Sequence, residues 1–516
     1  MAKQAQAPPP VVDSHWLRLL RGPSRLIGHW LARRPTALVV AWCLLLTLPG
    51  IATGTLWRTE GLRARVAAEM YAGQLLIPTL YGEPFLTKPP GHYWAIVLCS
   101  WPMGGVCEVS SRLPSVIAAL ATVLLLAGLV RRYAGARAGL IAGLLVPVSL
   151  VWLDKAPSAE IDAVLIAWVA AAIAGAVRAL DPAEPRPTRY WLLAWAAVAG
   201  GTLTKWTAPA FFYLTILPFA LWRGQVRRLL APGHWLGIAL WLGLCGLWAG
   251  LVTAQIGSDA LIATVSREAA QRFDPHHAGR AYPWAESLSY PLVVWAAALP
   301  ISALALGAFV GAFGRGQQTP PPTPGQRLLR QLGVCWVVPN VLFWTWPAEH
   351  AARYACPVAP GFAILAALAI LRLRESTARR WLWTLLLGWL LVKVVFVVAV
   401  MPGRTATAWV RETAAAIAQQ LGADEILYLF RLKDEGMMFY YGRAVRRLTG
   451  PDQLPAGRPI PVLLNAAEWS QLQVQAGGGP LQVTLIAPLR DQQGDPIYLT
   501  RINRRAVAAE DEEPTR

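Results

Sequence analysis

The sequence contains few charged residues. Only 15% of its 516 residues are Asp, Glu, Lys or Arg, whereas about 25% is usual in a soluble protein. Hydrophobic residues account for 55% of the chain, and the mean hydropathy is +0.41. This composition excludes a disordered chain, a collagen and a coiled coil, and it is typical of a protein that crosses a membrane many times.

Acidic residues and cysteines are also scarce. Lys and Arg total 47 against 29 Asp and Glu, which gives a formal net charge of +18. Membrane proteins concentrate basic residues in their cytoplasmic loops, so this excess of positive charge is expected without any nucleic-acid partner. Six cysteines are too few for a disulfide scaffold, although Cys99 and Cys107 share one loop and could pair.

Apolar runs predict about eleven transmembrane helices, because a bilayer core needs about 20 apolar residues per helix. Two of the runs, 138–153 and 190–203, are short and can be tilted or re-entrant. The full set is 36–54, 113–131, 138–153, 161–178, 190–203, 207–222, 234–255, 287–312, 331–346, 354–372 and 381–400.

Arginines predict the orientation of these helices. They precede the first run and recur in every second loop, at positions 131–137, 178–189, 223–228, 315–330 and 372–380. Because Lys and Arg favour the cytoplasmic side, we expect a cytoplasmic N-terminus in an inner (plasma) membrane protein. The weak apolar stretch 93–106 is assigned to the membrane interface, since counting it as a span would place the later arginines outside.

Three regions follow from this topology. Residues 1–35 form a cytoplasmic tail, 36–402 form the multi-span domain with a large extracytoplasmic loop at 55–112, and 403–516 form a small extracytoplasmic α/β domain. In the last region Val410, Thr413, Ile417 and Leu421 share one helical face. Strands are predicted at 425–430, 461–464, 481–488 and 497–502. The fold class is thus an all-α polytopic membrane protein with a C-terminal α/β domain.

The predicted extracytoplasmic loops carry ionisable residues that topology does not require. Glu60 stands a few residues after a membrane exit, where a carboxylate can accept a proton from a hydroxyl. Lys88 precedes Pro89 and Pro90 and can face a phosphate as a point charge. The alternative is a solvated loop with ordinary ion pairs.

Four further charged residues lie at the ends of apolar runs. Glu160 and Asp162 begin one run, with Lys155 nearby, and Lys205 interrupts another. Helix N-termini favour acidic residues, so Glu160 can be structural, whereas Asp162 lies deeper and favours a function. Lys205 needs a counter-ion such as a lipid phosphate, unless it extends to the interface.

Later loops supply candidates for a phosphate clamp. Arg272, Arg353 and Tyr354 are placed there, although Tyr354 can also be an interfacial anchor. His276 and His277 lack a third metal ligand at a recognisable spacing, so no metal residue is assigned and a zinc site is not favoured.

Several motifs occur in a recognisable order along the first 400 residues. The longest is AAEMYAGQLLIPTLYGEPFLTKPPGHYWAI (67–96), and weaker ones follow: SRLPS (111–115), DKAPSAEID (154–162), LTKW (203–206) and RYACPVAP (353–360). Together they resemble the motifs of GT-C glycosyltransferases, the relatives of bacterial protein O-mannosyltransferases and of the lipid A aminoarabinose transferase. The resemblance covers about the first 400 residues and implies the GT-C fold.

The resemblance also implies an activity. Such an enzyme moves a hexosyl or pentosyl group from a polyprenyl-phosphate donor to a glycolipid, glycan or protein hydroxyl on the extracytoplasmic face, as part of cell-envelope glycosylation. The absence of a P-loop or G-x-G-x-x-G motif agrees with a donor that is not a nucleotide. We expect inversion by a carboxylate base, Glu60 or Asp162. The donor phosphate would be bound by Lys88, Lys205, Arg353, Tyr354 and Arg272. Glu160, Lys155 and Thr59 are secondary candidates for the site.

One departure from the family pattern affects the base. The family's paired acidic motif begins with Asp, and that position is Thr59 here, so only Glu60 remains. Glu60 could have taken over, Glu160 or Asp162 could supply the base, or the chain could be an inactive relative. One acidic position fewer also makes a divalent ion less favoured, without excluding it. A lipid or glycan flippase or transporter is the other alternative, although its charges would usually lie at mid-membrane depth.

Overall fold

The computed structural model describes residues 34–274, 281–310, 321–406, 409–476 and 481–504. The described residues between 35 and 406 are mostly helical. Their helices are α1 (Pro35–Thr47), α2 (Thr59–Tyr71), α3 (Gly91–Ser100), α4 (Glu108–Ala134), α5 (Ala136–Leu145), α6 (Leu150–Lys155), α7 (Ile161–Leu180), α8 (Pro187–Thr204), α9 (Ala208–Trp222), α10 (Pro232–Ile256), α11 (Ser258–Phe273), α12 (Trp284–Ala297), α13 (Ile301–Val310), α14 (Pro324–Trp344), α15 (Ala359–Leu371), α16 (Glu375–Val395) and α17 (Met401–Ala406).

Five helical segments of the described chain are long and apolar enough to cross a membrane. They are Glu108–Ala134, Ile161–Leu180, Pro232–Ile256, Ala352–Leu371 and Glu375–Arg404. Each predicted apolar run contains helix, while the total of about eleven spans stays a prediction. Helix α3 has 10 residues and is too short to cross a bilayer, in agreement with its assignment to the interface.

Two of the predicted runs are broken at prolines. Helix α5 ends at Leu145, before Pro147, and Pro300 separates α12 from α13. Proline lacks the N–H that a helix interior needs and restricts the preceding residue. The two breaks lie against each other, since the Leu150 amide donates to the Leu299 carbonyl oxygen at 3.0 Å. Run 190–203, by contrast, is one continuous helix, α8.

The helical part has one end rich in arginine. There the C-terminal ends of α4 and α7 meet the start of α8. Arg178 Nε donates to Glu184 at 3.1 Å, and Arg132 lies 3.7 Å from Asp181. The other ends of the same helices bear Glu108 on α4, Asp162 on α7 and Lys205 after α8. The basic loops and the candidate site residues therefore lie at opposite ends of this bundle.

The C-terminal part is an α/β unit around a five-stranded sheet. Its helices are α18 (Val410–Gln420), α19 (Glu435–Tyr441) and α20 (Ala466–Ala476). Strands β1 (Thr79–Leu80) and β2 (Glu83–Pro84) do not belong to this unit and form a separate hairpin in the first loop. The five-stranded sheet of the C-terminal unit comprises β3 (Leu427–Leu429), β4 (Val445–Arg447), β5 (Ile460–Asn465), β6 (Leu481–Arg490) and β7 (Pro496–Arg504). Its order is β4-β3-β5-β7-β6, with β3 parallel to β4 and β5 and the other pairs antiparallel.

This C-terminal sheet unit packs directly on the first loop. Buried side chains of α2 and α3, among them Val66 and Tyr93, share a hydrophobic core with Ile417 and Leu429. Helices α2 and α19 cross so closely that a Cβ on Gly61 would lie 2.2 Å from Gly436 Cα. The start of α2 is thus held by the C-terminal unit, and α2 carries several candidate site residues.

Candidate active site

A polar cavity of about 210 Å³ lies at the end of the bundle away from the arginine-rich loops. It is formed by α2, the N-terminus of α7, the segment after α8, α11 and the stretch before α15. Seven residues singled out from the sequence line it: Thr59, Lys88, Glu160, Asp162, Lys205, Arg353 and Tyr354. Their convergence from positions hundreds of residues apart makes this cavity the candidate active site.

Asp162 and Lys205 form a buried ion pair in this cavity. Lys205 Nζ donates to Asp162 Oδ1 at 3.0 Å. Lys205 is only 5% exposed and Asp162 only 2%. Lys205 Nζ also lies 5.4 Å from the centre of the Tyr354 ring. Asp162 stands in the first turn of α7, where the helix dipole favours an anion. The pair fixes one ammonium group at the cavity wall.

Glu160 is held by two cations. Lys155 Nζ donates to Glu160 Oε1 at 2.8 Å, and Arg353 Nη1 donates to Glu160 Oε2 at 3.0 Å. Lys155 is also 2.8 Å from Asp154. Burial alone would lower the pKa of Lys155, but Glu160 and Asp154 raise it above its ordinary value. Glu160 therefore positions Arg353, and Lys155 stays charged.

Lys88 is paired across the cavity with Glu268 of α11. Lys88 Nζ donates to Glu268 Oε2 at 2.6 Å and to the Thr87 carbonyl oxygen at 2.9 Å. Pro89 and Pro90 follow Lys88 and lead into α3, which fixes the backbone on that side. A bound phosphate would compete with Glu268 for this ammonium group.

Arg63 adds a cation that the sequence reasoning missed. It lines the cavity one helical turn after Thr59, and its Nη1 donates to the Tyr93 hydroxyl at 2.6 Å. The neighbouring His92 is buried, and burial together with Arg63 lowers its pKa to about 4. His92 is therefore neutral, with Nε2 3.3 Å from the Ala159 carbonyl oxygen. The spacing of Thr59 and Arg63 on one helix face was the available signal.

Glu60 does not line this cavity. It lines a neighbouring cavity of about 50 Å³ together with Lys155. Arg112 donates to both carboxylate oxygens of Glu60, at 3.0 and 3.1 Å, and the amides of Trp57 and Ala159 donate at 2.8 and 2.7 Å. Four hydrogen bonds favour a structural role, since protonating Glu60 would leave Arg112 buried without its counter-ion. Its role as the base stays a prediction.

The remaining sequence predictions concern a cysteine pair, Arg272 and a histidine pair. Cys99 and Cys107 are both free thiols, so the disulfide considered from the sequence is not formed. The side chain of Arg272, and all of His276 and His277, lie outside the described residues. Among the described residues, no group of three or more His, Cys, Asp or Glu side chains could hold a metal ion.

Comparison with known proteins extends this picture. The family model of dolichyl-phosphate-mannose-protein mannosyltransferases matches residues 87–248, a range that contains Lys88, Asp162 and Lys205. No curated protein matches the sequence. The crystal structure of ArnT from Cupriavidus metallidurans bound to undecaprenyl phosphate is similar with a TM-score of 0.69 and 18% identity, over 90% of this chain and 97% of ArnT. The fold is that of the GT-C glycosyltransferases.

A more distant GT-C structure is also similar. The oligosaccharyltransferase AglB from Archaeoglobus fulgidus, in complex with an inhibitory peptide and a dolichol-phosphate, has a TM-score of 0.50 and 11% identity. The match covers 90% of this chain and 70% of AglB. The GT-C resemblance stated from the loop motifs is thus confirmed at the level of the fold.

Proposed function

We propose that this chain is a membrane glycosyltransferase that moves a sugar from a polyprenyl-phosphate donor to a hydroxyl acceptor, with inversion at the anomeric carbon. The observation that carries the proposal is the cavity in which Lys88, Lys205 and Arg353 meet a set of carboxylates at one end of an apolar bundle. The similar ArnT structure, which is bound to undecaprenyl phosphate, supports the donor class.

The reaction is proposed for the extracytoplasmic face. Arginines mark the opposite end of the bundle, where Arg132 and Arg178 meet Asp181 and Glu184. Lys and Arg are retained on the cytoplasmic side during insertion, so the cavity would open away from the cytoplasm. A lipid-linked sugar can reach such a site because its chain lies among the spans, whereas a cytoplasmic nucleotide sugar cannot.

The cations would act mainly on the leaving group. In the donor the phosphate bridges sugar and lipid and carries one negative charge. When the bond between the anomeric carbon and the phosphate oxygen breaks, the electron pair stays on that oxygen and the lipid phosphate gains a second negative charge. Lys88, Lys205 and Arg353 would stabilise that charge where it develops, which is the condition for electrostatic catalysis.

The acceptor is proposed to be a glycolipid, a glycan or a protein of the cell envelope. A carboxylate would take the proton of its hydroxyl as the oxygen attacks the opposite face of the sugar. The cavity offers Glu160, Asp162, Glu268 and Glu349 for that step. The sugar is left open between a hexose and a pentose.

Transfer in a purified system tests the proposal. The full chain in lipid nanodiscs would be given a panel of polyprenyl-phosphate sugars and membrane extracts as acceptors, and products would be identified by mass spectrometry. We expect transfer by the native chain and a loss of about 100-fold or more in Lys88→Gln, by analogy with removing one donor to a developing oxyanion. The exposed Lys433, in the C-terminal unit, supplies the matched control Lys433→Gln. No transfer from any donor would contradict the proposal.

A further inference from the structure

We propose that Glu349 is the general base that removes the proton from the acceptor hydroxyl. This inference rests on the glycosyl transfer proposed above and identifies which carboxylate performs the proton transfer. Glu349 lies in the stretch between α14 and α15 and lines the cavity with Lys205, Arg353 and Tyr354. The sequence alone indicated only Glu60, Glu160 and Asp162 for this role.

Ion pairing separates the four carboxylates that line the cavity. Asp162 is 3.0 Å from Lys205, Glu268 is 2.6 Å from Lys88, and Glu160 is 2.8 Å from Lys155. Protonating any of these three would disrupt an ion pair to a largely buried lysine, and disrupting a buried pair is costly. A proton transferred to any of the three would therefore compete with an existing ion pair.

Glu349 differs in both exposure and pairing. Its side chain is exposed at the cavity, and within the described ranges of the chain no hydrogen bond or ion pair to it is found. It can therefore accept a proton without leaving a protein cation unpaired, and an acceptor arriving from outside can reach it. These are the properties that a general base requires.

The backbone around Glu349 is fixed from two sides. The Tyr282 hydroxyl donates to the Trp346 carbonyl oxygen at 2.8 Å, and the Tyr290 hydroxyl donates to the Ala351 carbonyl oxygen at 3.1 Å. The next residue, His350, has Nε2 3.0 Å from the Thr345 carbonyl oxygen. Glu349 is thus carried by a short, anchored stretch, and it lines a second small cavity together with Lys205 and Tyr354.

The proposed step balances as follows. The acceptor O–H proton passes to the Glu349 carboxylate while the acceptor oxygen forms a bond to the anomeric carbon. The bond from that carbon to the phosphate oxygen breaks, and its electron pair leaves with the polyprenyl phosphate. The protonated Glu349 then loses its proton to water, to which it is exposed.

Glu349→Gln tests this role because it keeps the shape of the side chain and removes its basicity. We expect kcat to fall by about 10²–10⁴-fold, while the affinity for polyprenyl phosphate, measured by native mass spectrometry, changes by less than about twofold. Glu349→Asp should keep part of the activity. Added formate should restore part of it in Glu349→Gln, because the position is open to solvent. Glu286→Gln, an exposed residue of α12 outside the cavity, is the matched control.

The outcomes are distinct. Full turnover in Glu349→Gln, with an active native chain, would overturn the base assignment alone. Loss of polyprenyl-phosphate binding together with turnover would also overturn it, because Glu349 would then be a binding residue. A native chain that transfers no sugar would overturn the proposed function and this assignment with it.

Discussion

Glu60 and Arg112 form a buried ion pair that ties three parts of the chain together. Arg112 also donates to the carbonyl oxygens of Ile51, Thr53 and Thr55, and Glu60 receives the Ala159 amide. The pair therefore joins the segment between α1 and α2, the start of α2 and the loop before α7. All three surround the small cavity next to the candidate active site.

Glu60→Gln is expected to destabilise the protein. It removes the charge that compensates Arg112, whose side chain is 3% exposed, and breaking a buried pair in this way costs about 3–5 kcal/mol. The measurement is the midpoint of thermal unfolding in detergent. Glu83→Gln, exposed in the same loop, should leave the midpoint unchanged. Unchanged stability with lost turnover in Glu60→Gln would instead support the base role.

The sequence predicted some of these residues and missed others for a physical reason. Asp162 and Lys205 interrupt or begin apolar runs, and an isolated charge there is costly unless it has a partner. Glu268 and Arg112 sit among ordinary polar residues, and their importance comes from partners 180 and 52 positions away. Spacing along the chain carries no information about contacts of that kind.

Among the helices, the crossing of α2 and α19 depends on two glycines in different ways. A Cβ on Gly61 would lie 2.2 Å from Gly436 Cα, whereas a Cβ on Gly436 would have its nearest atom, Gln492 Nε2, at 3.4 Å. Gly61→Ala should therefore push the C-terminal unit off α2 at a cost of about 1–3 kcal/mol, as overpacking usually does. Gly436→Ala is the matched control.

Limited proteolysis in detergent measures this effect. We expect Gly61→Ala to release a C-terminal fragment several times faster than the native chain, and Gly436→Ala to behave like the native chain. Equal rates in all three proteins would show that the crossing tolerates a methyl group on α2.

Asp434, which caps α19, makes this crossing sensitive to pH. Burial raises its pKa from the ordinary 3.8 to about 6, although the Met437 and Gln492 amides donate to it. The folded state therefore binds the proton more tightly than the unfolded state. The resulting stabilisation, about 3 kcal/mol, is complete below about pH 4 and is lost as the pH rises through about 6.

Asp434→Asn should flatten this pH dependence. Unfolding midpoints should fall in the native chain between about pH 4 and pH 8. They should change less in Asp434→Asn, because the asparagine side chain does not titrate, while its amide oxygen can still accept from the Met437 amide. Asp424→Asn, exposed in the same unit, should follow the native curve. Parallel curves for the native chain and Asp434→Asn would contradict the assignment.

Hydropathy predicted where helices occur but not where they break or how short elements form. Each predicted strand overlaps one strand of the sheet, and Val410, Thr413, Ile417 and Leu421 are all buried. Strand β4 and helices α19 and α20 were missed. Strand β4 has three residues and α19 has seven, so their periodicity is too short to detect and tertiary packing decides their conformation. Helix α20 has 11 residues, of which only Glu468 and Leu472 are buried, so it shows little apolar periodicity.

For the whole molecule, the orientation in the membrane is the prediction with the widest consequences. The exposed Gln74 lies in the first loop, and the exposed Ala183 lies between α7 and α8 among the arginines. In a cysteine-free background, Gln74→Cys should react with a membrane-impermeant maleimide in intact cells, and Ala183→Cys only after the membrane is opened. The reverse pattern would place the cavity in the cytoplasm.

The balance of charge around the cavity has a further consequence. Among the described lining side chains, Arg63, Lys88, Lys205 and Arg353 are matched in number by four carboxylates. A site with balanced charges exerts little long-range electrostatic attraction on small anions. Free inorganic phosphate would have to break the ion pair between Lys88 and Glu268, and it has no hydrocarbon chain whose burial could offset that cost. It should therefore compete poorly with a polyprenyl-phosphate donor. The resting protein would then tolerate phosphate-rich surroundings and still select a phosphate that arrives through the bilayer.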